Sequence, residues 1–227
     1  MWKTIHCVCK YTKERKLINM YIKVENITKI IKSSTVLKDI NLEFHSGKIY
    51  GIVGKNGSGK TMLLRVIAGL IKPTKGTVFI DGKMLHKDIS FPPEMGIIIE
   101  KPELLEQLSG LENLKILAEI KNIISEEQII EFMKMFSLDP HSKKPLRKYS
   151  LGMKQKIGII QAIMENQKLL ILDEPFNALD ESTVTMLRDL FRKYRDNDKL
   201  LIITSHHADD ISFLCDEIIS LQEGVVR

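Results

Sequence analysis

The chain has 227 residues, with 34 Lys and Arg against 29 Asp and Glu, a formal net charge of +5 and 44% hydrophobic residues. This is the composition of a globular protein, and it excludes a disordered or fibrous chain. Residues 1–19 contain five basic residues and one acidic residue, so the rest of the chain is nearly neutral. A nearly neutral body argues against a broad basic face for nucleic acid, and we expect no nucleic-acid partner.

The sequence also lacks the signals of a secreted or membrane-spanning chain. No segment approaches the roughly 18 to 20 uninterrupted apolar residues that cross a bilayer. No apolar stretch follows the basic N-terminal residues as it does in a signal peptide. The three cysteines, Cys7, Cys9 and Cys215, are an odd number that suits a reducing compartment better than a disulfide framework. We therefore expect a cytoplasmic protein.

The first predicted elements are strands that lead into a glycine-rich loop. Residues 21–27 alternate apolar and polar side chains, and residues 35–44 partly repeat this alternation, which predicts two half-buried strands. A short apolar strand over residues 48–53 then runs into the loop. Residues 61–70 suit a buried helix, so this part of the chain is strand, loop, helix.

The second half of the chain adds a helical stretch and two buried strands. Residues 77–80 predict a strand, and apolar residues recur at helical spacing over about 103–163, which predicts a helical insertion. Residues 168–172 and 199–204 are apolar runs separated by a helix-like segment at 181–195. This alternation of strands and helices is typical of a parallel sheet.

The glycine-rich loop is the first motif that carries chemistry. It matches G-x-x-x-x-G-K-[ST] in full, and its glycines let several backbone N–H groups surround a phosphate. Lys60 is predicted to reach the β- and γ-phosphates, and the Thr61 hydroxyl is predicted to bind Mg²⁺. The alternative, a glycine-rich turn without a ligand, is disfavoured by the strand before the loop and the helix after it. The candidate binding residues are Gly54, Lys55, Asn56, Gly57, Ser58, Gly59, Lys60 and Thr61.

Two carboxylates follow the apolar run at 169–172. A charged pair at the end of a buried strand is costly unless it serves a cation or a proton. Asp173 is predicted to hold Mg²⁺ through its waters, and Glu174 to orient and polarise an attacking water as a general base. The alternative is an ordinary strand end with solvated acids, which is disfavoured beside a phosphate loop.

Three further motifs point to a family. Residues 149–156, just before a predicted helix, resemble the signature sequence of the ATP-binding cassette (ABC) ATPases that power membrane transporters. Residues 177–180 resemble the D-loop of that family, and residues 204–206 resemble the segment that carries its switch histidine. The motifs occur in the family's order, and the resemblance covers about residues 21–227.

The resemblance implies an α/β fold with a P-loop NTPase core. In this fold a RecA-like mixed or parallel sheet is accompanied by an N-terminal antiparallel β subdomain and a helical insertion subdomain at about 103–163. Residues 20–227 would form a single ABC ATPase domain. Residues 1–19 have no counterpart in the family and are a basic extension: an upstream extension or start-site artefact, or an anchor for anionic lipid or a partner. A metal site at His6, Cys7 and Cys9 is disfavoured because it has too few ligands. ATP and Mg²⁺ are the implied cofactors.

The resemblance also implies a dimer in which each ATP lies between the phosphate loop of one subunit and the signature of the other. Ser150 and Gly152 would contact the γ-phosphate across the dimer, His206 would contact it from its own subunit, and Asp180 would line the interface. Without the other motifs, His206 reads as a helix-start residue. The implied partners are a second ATP-binding subunit and membrane-spanning permease subunits, with the chain peripheral on the inner face of the cell membrane.

Several positions depart from the usual family pattern. Glu100 stands where glutamine is common, and its carboxylate can still reach Mg²⁺ or the attacking water. A glutamate here together with a Ser-Leu-Gly-Met signature resembles the branch of the family that serves bacitracin-type and lantibiotic-type peptide self-protection and export. Ile31, or its neighbour Ile30, stands where an aromatic residue stacks on adenine, so GTP is expected to compete with ATP. Lys156 stands where arginine is common.

The insertion also contains leucines that either line a groove for the membrane partner or belong to the core: Leu104, Leu105 and Leu108.

The favoured function is that of an ATP-hydrolysing ABC transporter subunit that powers export of an antimicrobial peptide or another small amphipathic compound. The alternative is a soluble ABC ATPase that remodels a nucleoprotein or assembly complex. The single cassette and the lack of a heptad array favour the transporter.

Overall fold

A computed structural model describes residues 20–205 and 208–227, without the side chains of residues 208–210. The predictions made for residues 1–19 and for His206 lie outside the described residues. Among the described residues, no helix is long and apolar enough to cross a membrane.

An antiparallel sheet is formed by the first strands of the chain. It contains β1 (Tyr21–Ile31), β2 (Ser34–His45), β4 (Lys75–Ile80) and β5 (Lys83–Met84), in the order β2-β1-β4-β5. The alternation in β1 buries one face of the strand, with Ile22, Val24 and Ile27 almost fully enclosed. The predicted antiparallel β subdomain is therefore present.

A second sheet has six strands in the order β10-β9-β3-β8-β7-β6. They are β3 (Lys48–Val53), β6 (Met95–Ile98), β7 (Leu169–Leu172), β8 (Leu200–Thr204), β9 (Glu217–Gln222) and β10 (Val225–Val226). The pairs among β6, β7, β8, β3 and β9 are parallel, and β10 is antiparallel to β9. The carboxyl ends of β3, β8 and β7 therefore meet at one edge, where ligands bind in open α/β sheets.

Six α-helices occur in the described residues: α1 (Lys60–Ile67), α2 (Gly110–Lys121), α3 (Glu126–Met135), α4 (Leu151–Ile163), α5 (Glu181–Asp196) and α6 (Ala208–Leu214). A short 3₁₀ helix, Leu146–Lys148, precedes α4. The helix predicted over 61–70 ends three residues early, at Ile67, because Gly69 has a left-handed φ of +77° that leaves the helical path.

Two apolar cores lie on opposite faces of the six-stranded sheet. Along β7, Leu169 and Ile171 belong to the core shared with the antiparallel sheet and α1, whereas Leu170 and Leu172 belong to the core shared with α2 to α5. Burial on both faces explains why this strand is a continuous apolar run. Helix α4 lies directly on β6, since a Cβ at Gly96 would come within 1.8 Å of the Ala162 carbonyl oxygen.

Candidate nucleotide-binding site

The loop between β3 and α1 packs so closely that particular positions require glycine. A Cβ at Gly54 would lie 2.2 Å from the Leu221 carbonyl oxygen, and a Cβ at Gly59 would lie 2.9 Å from the carbonyl oxygen of Val36. Gly57 has open space around it, but its φ of +79° is one that other residues rarely adopt. The loop is thus shaped by contacts with β2 and β9 as well as by its own sequence.

Lys60 lies along this loop at the start of α1. Its Nζ donates a hydrogen bond to the Gly54 carbonyl oxygen at 2.7 Å and to the Lys55 carbonyl oxygen at 3.3 Å. The residue is only 7% exposed. The ammonium group is therefore held inside the phosphate loop, as its predicted role requires.

An open cleft of about 240 Å³ lies over the loop. Ser58 Oγ, in its wall, is buried and has no hydrogen-bond partner among the described residues. An unpaired buried hydroxyl costs free energy that a bound polar ligand would recover. The cleft is lined by Val36, Asn56, Gly57, Ser58, Gly59, Lys60, Thr61, Met62, Asp173 and Glu174.

The two strand ends beside the cleft are joined by a buried hydrogen-bond network. Thr61 Oγ1 donates to Asp173 Oδ2 at 2.8 Å, and Thr204 Oγ1 donates to Asp173 Oδ1 at 2.6 Å. The Glu174 backbone N–H donates to Thr204 Oγ1 at 2.9 Å. The structure thus brings the phosphate loop and the acidic pair together, as the sequence predicted.

The donor set in this network fits a magnesium ion. A hydroxyl oxygen and a carboxylate oxygen are hard ligands of the kind that Mg²⁺ prefers, with phosphate and water oxygens completing the shell. The two oxygens of Thr61 and Asp173 are 2.8 Å apart at the edge of the cleft, so one ion beside a bound phosphate can meet both.

The signature residues form a second cleft, lined by Ser150, Leu151, Gly152, Met153, Lys156, Ala178 and Asp180. Ser150 is the N-cap of α4, and its Oγ accepts a hydrogen bond from the Met153 N–H at 3.2 Å. A Cβ at Gly152 would lie 2.4 Å from the Ala178 carbonyl oxygen. Within one subunit, this glycine is needed for the close approach of α4 to residues 177–180.

Asp180 caps α5 and pairs with α4. Its Oδ1 accepts hydrogen bonds from the Thr183 N–H at 2.9 Å and from the Ser182 hydroxyl at 2.6 Å, and Lys156 Nζ lies 2.9 Å from its Oδ2. The pKa of the Asp180 carboxyl is held well below its usual value by these hydrogen bonds. The Ser182 hydroxyl has the largest effect, and the Lys156 ammonium and the Thr183 donors add to it. Lys156, which stands where arginine is common, therefore pairs directly with Asp180.

Some residues predicted to bind the nucleotide do not line the phosphate cleft: Gly54 and Lys55 at the start of the loop, and Glu100 and Ile31 outside it. The Glu100 carboxylate is 60% exposed and forms an ion pair with Arg65 of α1, with Oε1 and Nη2 2.9 Å apart. Ile31 lies at the end of the β1–β2 hairpin and is 39% exposed. Val36, farther along β2, lines the cleft instead. Sequence reasoning missed both Val36 and Met62 in the lining. No local signal marks Val36, because its position depends on the fold of β2 over the loop.

The leucines of the insertion have mixed environments. Leu105 is 46% exposed, whereas Leu104 packs against the core that contains α2 to α5. Leu108 is partly buried, and its backbone carbonyl accepts a hydrogen bond from the Leu146 N–H. Of the three leucines, Leu105 therefore presents the most exposed apolar side chain.

The fold and the cleft define an α/β P-loop NTPase. Residues 37–177 match the sequence family described as ABC transporter. This match covers more than half of the chain, so the chain belongs to the ABC transporter family as an ATP-binding subunit that hydrolyses ATP.

Relatives and solved structures agree with this assignment. The chain is 47% identical over 203 residues to the uncharacterized ABC transporter ATP-binding protein YybJ of Bacillus subtilis (strain 168), covering 89% of this chain and 93% of that protein. It is 37% identical to the bacitracin transport ATP-binding protein BcrA of Enterococcus faecalis, covering 92% and 68%. It is 32% identical to the lantibiotic transport ATP-binding protein SrtF of Streptococcus pyogenes, covering 90% and 88%. The resemblance to the bacitracin and lantibiotic branch is confirmed.

Among solved structures, the chain is similar to a dimeric, post-hydrolysis state of the ATP-binding cassette MJ0796 bound to ADP and Pi. The TM-score is 0.80 at 27% identity, and the match covers 91% of this chain and 96% of that one. The predicted ABC ATPase fold and dimeric cassette class are consistent with this likeness.

Proposed function

We propose that this subunit powers the export of an antimicrobial peptide or another small amphipathic compound through separate membrane-spanning permease subunits. The observation that carries the proposal is the similarity to bacitracin and lantibiotic transport ATP-binding proteins over about nine-tenths of the chain. Glu100 and the Ser-Leu-Gly-Met sequence at 150–153 support the same branch.

At the nucleotide site, each residue has a distinct role. The loop's N–H groups and Lys60 bind the phosphates of ATP, and Thr61 and Asp173 hold Mg²⁺, which neutralises charge on the phosphates when bound. Glu174 accepts a proton from the attacking water. Glu100 contacts Mg²⁺ or the attacking water, and in this structure its carboxylate pairs with Arg65, 2.9 Å away.

The site is completed by a second ATP-binding subunit. Ser150 and Gly152 of one subunit contact the γ-phosphate held by the other, while Asp180 lines the interface and His206 contacts the phosphate from its own subunit. Ser150 and Gly152 share an open cleft, which supports this role. The chain would then lie at the inner face of the membrane, where exposed apolar residues such as Leu105 contact the permease.

Replacing Glu174 by Gln tests the catalytic assignment. The amide cannot accept the proton, so steady-state ATP hydrolysis should fall at least about 100-fold, as expected for loss of a general base. ATP affinity should persist, and ATP should trap a dimer that size-exclusion chromatography with light scattering detects. Hydrolysis at the original rate by the Glu174→Gln variant would contradict the assigned role.

The same variant tests export. The chain is expressed with the multi-span proteins of neighbouring reading frames in a peptide-sensitive host, and the minimal inhibitory concentrations of bacitracin and a lantibiotic are measured. Resistance should rise with the natural sequence and not with Glu174→Gln. Purification with soluble partners alone, and no membrane protein, would instead favour the remodelling ATPase.

A further inference from the structure

We propose that Thr204 and Gln155 are positioning residues that clamp the backbone of Glu174, so that its carboxylate is held toward the nucleotide cleft. This inference rests on the proposed role of Glu174 as the general base. Neither residue belongs to the cleft lining, so both act through Glu174 without touching the nucleotide.

The backbone at Glu174 needs to be held. Its φ is +50°, in the left-handed region, which residues with a Cβ avoid at a cost that folded structures must offset. Glu174 lies two residues after the end of β7 and lines the cleft, so the strained backbone is at the site itself. Strained backbone persists only where the surrounding contacts fix it, and these contacts are found on both sides of the residue.

Thr204 holds the amide side. It is fully buried at the end of β8, and its hydroxyl accepts the Glu174 N–H at 2.9 Å while donating to Asp173 Oδ1 at 2.6 Å. The Thr204 hydroxyl has a single proton, which it donates to the Asp173 carboxylate. This bond fixes the orientation of the hydroxyl, so a lone pair of its oxygen points at the Glu174 N–H. A single side chain therefore orients both members of the acidic pair.

Gln155 holds the carbonyl side. It lies on α4 with 7% exposure, and its Nε2 donates to the Pro175 carbonyl oxygen at 3.2 Å and to the Glu174 carbonyl oxygen at 3.4 Å. Five residues earlier on the same segment, Ser150 caps the helix in the signature cleft. The clamp thus links the signature of a subunit to the general base of that same subunit.

The Thr204 contact is tested by Thr204→Val, which keeps the shape of the side chain and removes the hydroxyl. Hydrolysis kcat should fall about 10- to 100-fold, as is typical when a supporting hydrogen bond to a reactive group is lost. Thr204→Ser retains the hydroxyl and should restore most of the rate. Ile203→Val, at the neighbouring buried position of β8, controls for a change in core packing and should keep kcat.

The Gln155 contact is tested by Gln155→Met, which is similar in length but has no N–H to donate. The matched control is Gln161→Met on the same helix, because Gln161 Oε1 has no hydrogen-bond partner among the described residues. We expect kcat to fall for Gln155→Met alone. If Thr204→Val does not fold, this pair of variants decides the question.

A readout other than turnover separates positioning from loss of structure. In the Glu174→Gln background, adding Thr204→Val or Gln155→Met should leave the affinity for a fluorescent ATP analogue within about threefold, a small free-energy change. The clamp would be overturned if the ATP analogue bound more weakly by as large a factor as kcat falls. It would also be overturned if Thr204→Val and Gln155→Met each kept full activity. Unchanged hydrolysis in Glu174→Gln itself would instead overturn the general-base role.

Discussion

At the residue scale, recognition of the base differs from recognition of the phosphates. The phosphate loop offers backbone and charged groups, whereas no aromatic side chain lines the cleft among the described residues. Ile31 pairs with Ser34 at the end of the hairpin, and Val36 and Met62 are the apolar side chains that line the cleft. Aliphatic contact lacks the stacking that distinguishes an aromatic platform, so base selectivity should be low.

We therefore expect GTP to compete with ATP for hydrolysis. The inhibition constant of GTP should lie within about tenfold of the KM for ATP, which corresponds to about 1.4 kcal/mol. Replacing Val36, which lines the cleft, by Tyr should tighten ATP binding, because base stacking on an aromatic ring contributes about 1–3 kcal/mol. Competition in an ATPase assay measures the first effect, and nucleotide titration measures the second. A strong adenine preference in the natural sequence would contradict the interpretation.

The sequence predicted the chemistry of this site better than its geometry. The Lys60, Thr61 and Asp173 assignments follow from motif chemistry, and the structure brings these side chains to one cleft. The close contact of Gly54 with the Leu221 carbonyl oxygen was not predictable, because it joins residues far apart in the chain. The pairing of Glu100 with Arg65 was missed for the same reason.

At the element scale, the first turns of α4 are tied to the segment that follows Glu174. Gly152 approaches the Ala178 carbonyl oxygen, Gln155 donates to the Pro175 carbonyl oxygen, and Lys156 pairs with Asp180. These contacts come from two turns of one helix. The signature helix and residues 174–180 should consequently move together when the signature meets a nucleotide.

Replacing Gly152 by Ala tests how close this packing is. Alanine favours an isolated helix over glycine by about 1 kcal/mol, but here its Cβ would lie 2.4 Å from a backbone oxygen. Overpacking of this kind costs about 1–3 kcal/mol, so the variant should be destabilised in urea unfolding and should lose ATPase activity. Leu151→Ala, at a side chain that is 62% exposed, should change stability by less than about 0.5 kcal/mol. A stabilised Gly152→Ala protein would contradict the close approach.

The sequence predicted the order of elements more accurately than their ends. The helical character of residues 103–163 is confirmed, but its division into α2 and α3 was not predicted. Two capping boxes mark the starts of these helices: Ser109 with Glu112, and Ser125 with Gln128. The pattern of serine followed three residues later by an acid or amide is readable in sequence, so these boundaries were available to sequence analysis. Helix α1 ends before its predicted position because the positive φ of Gly69 stops it.

At the scale of the whole molecule, the described residues form a closed unit around the six-stranded sheet. Both faces of β7 are covered, one by the antiparallel sheet and α1 and the other by helices of the second core. Met20, the first described residue, is buried, and its carbonyl accepts a hydrogen bond from the Ser46 N–H. All the motif residues assigned to ATP lie within residues 20–227.

Deleting residues 2–19 should therefore leave ATP hydrolysis intact. The deletion removes five basic residues and one acidic residue, but the proposed site binds the phosphates through short-range contacts with the loop and Lys60. Charges beyond about 8 Å are largely screened at physiological ionic strength. ATPase rates of the full chain and the deletion, measured at low and physiological salt, should agree within about twofold, a change of less than about 0.5 kcal/mol. Loss of activity at both salt concentrations would show that residues 2–19 contribute to the cassette, whereas loss of binding to anionic vesicles alone would identify them as a membrane anchor.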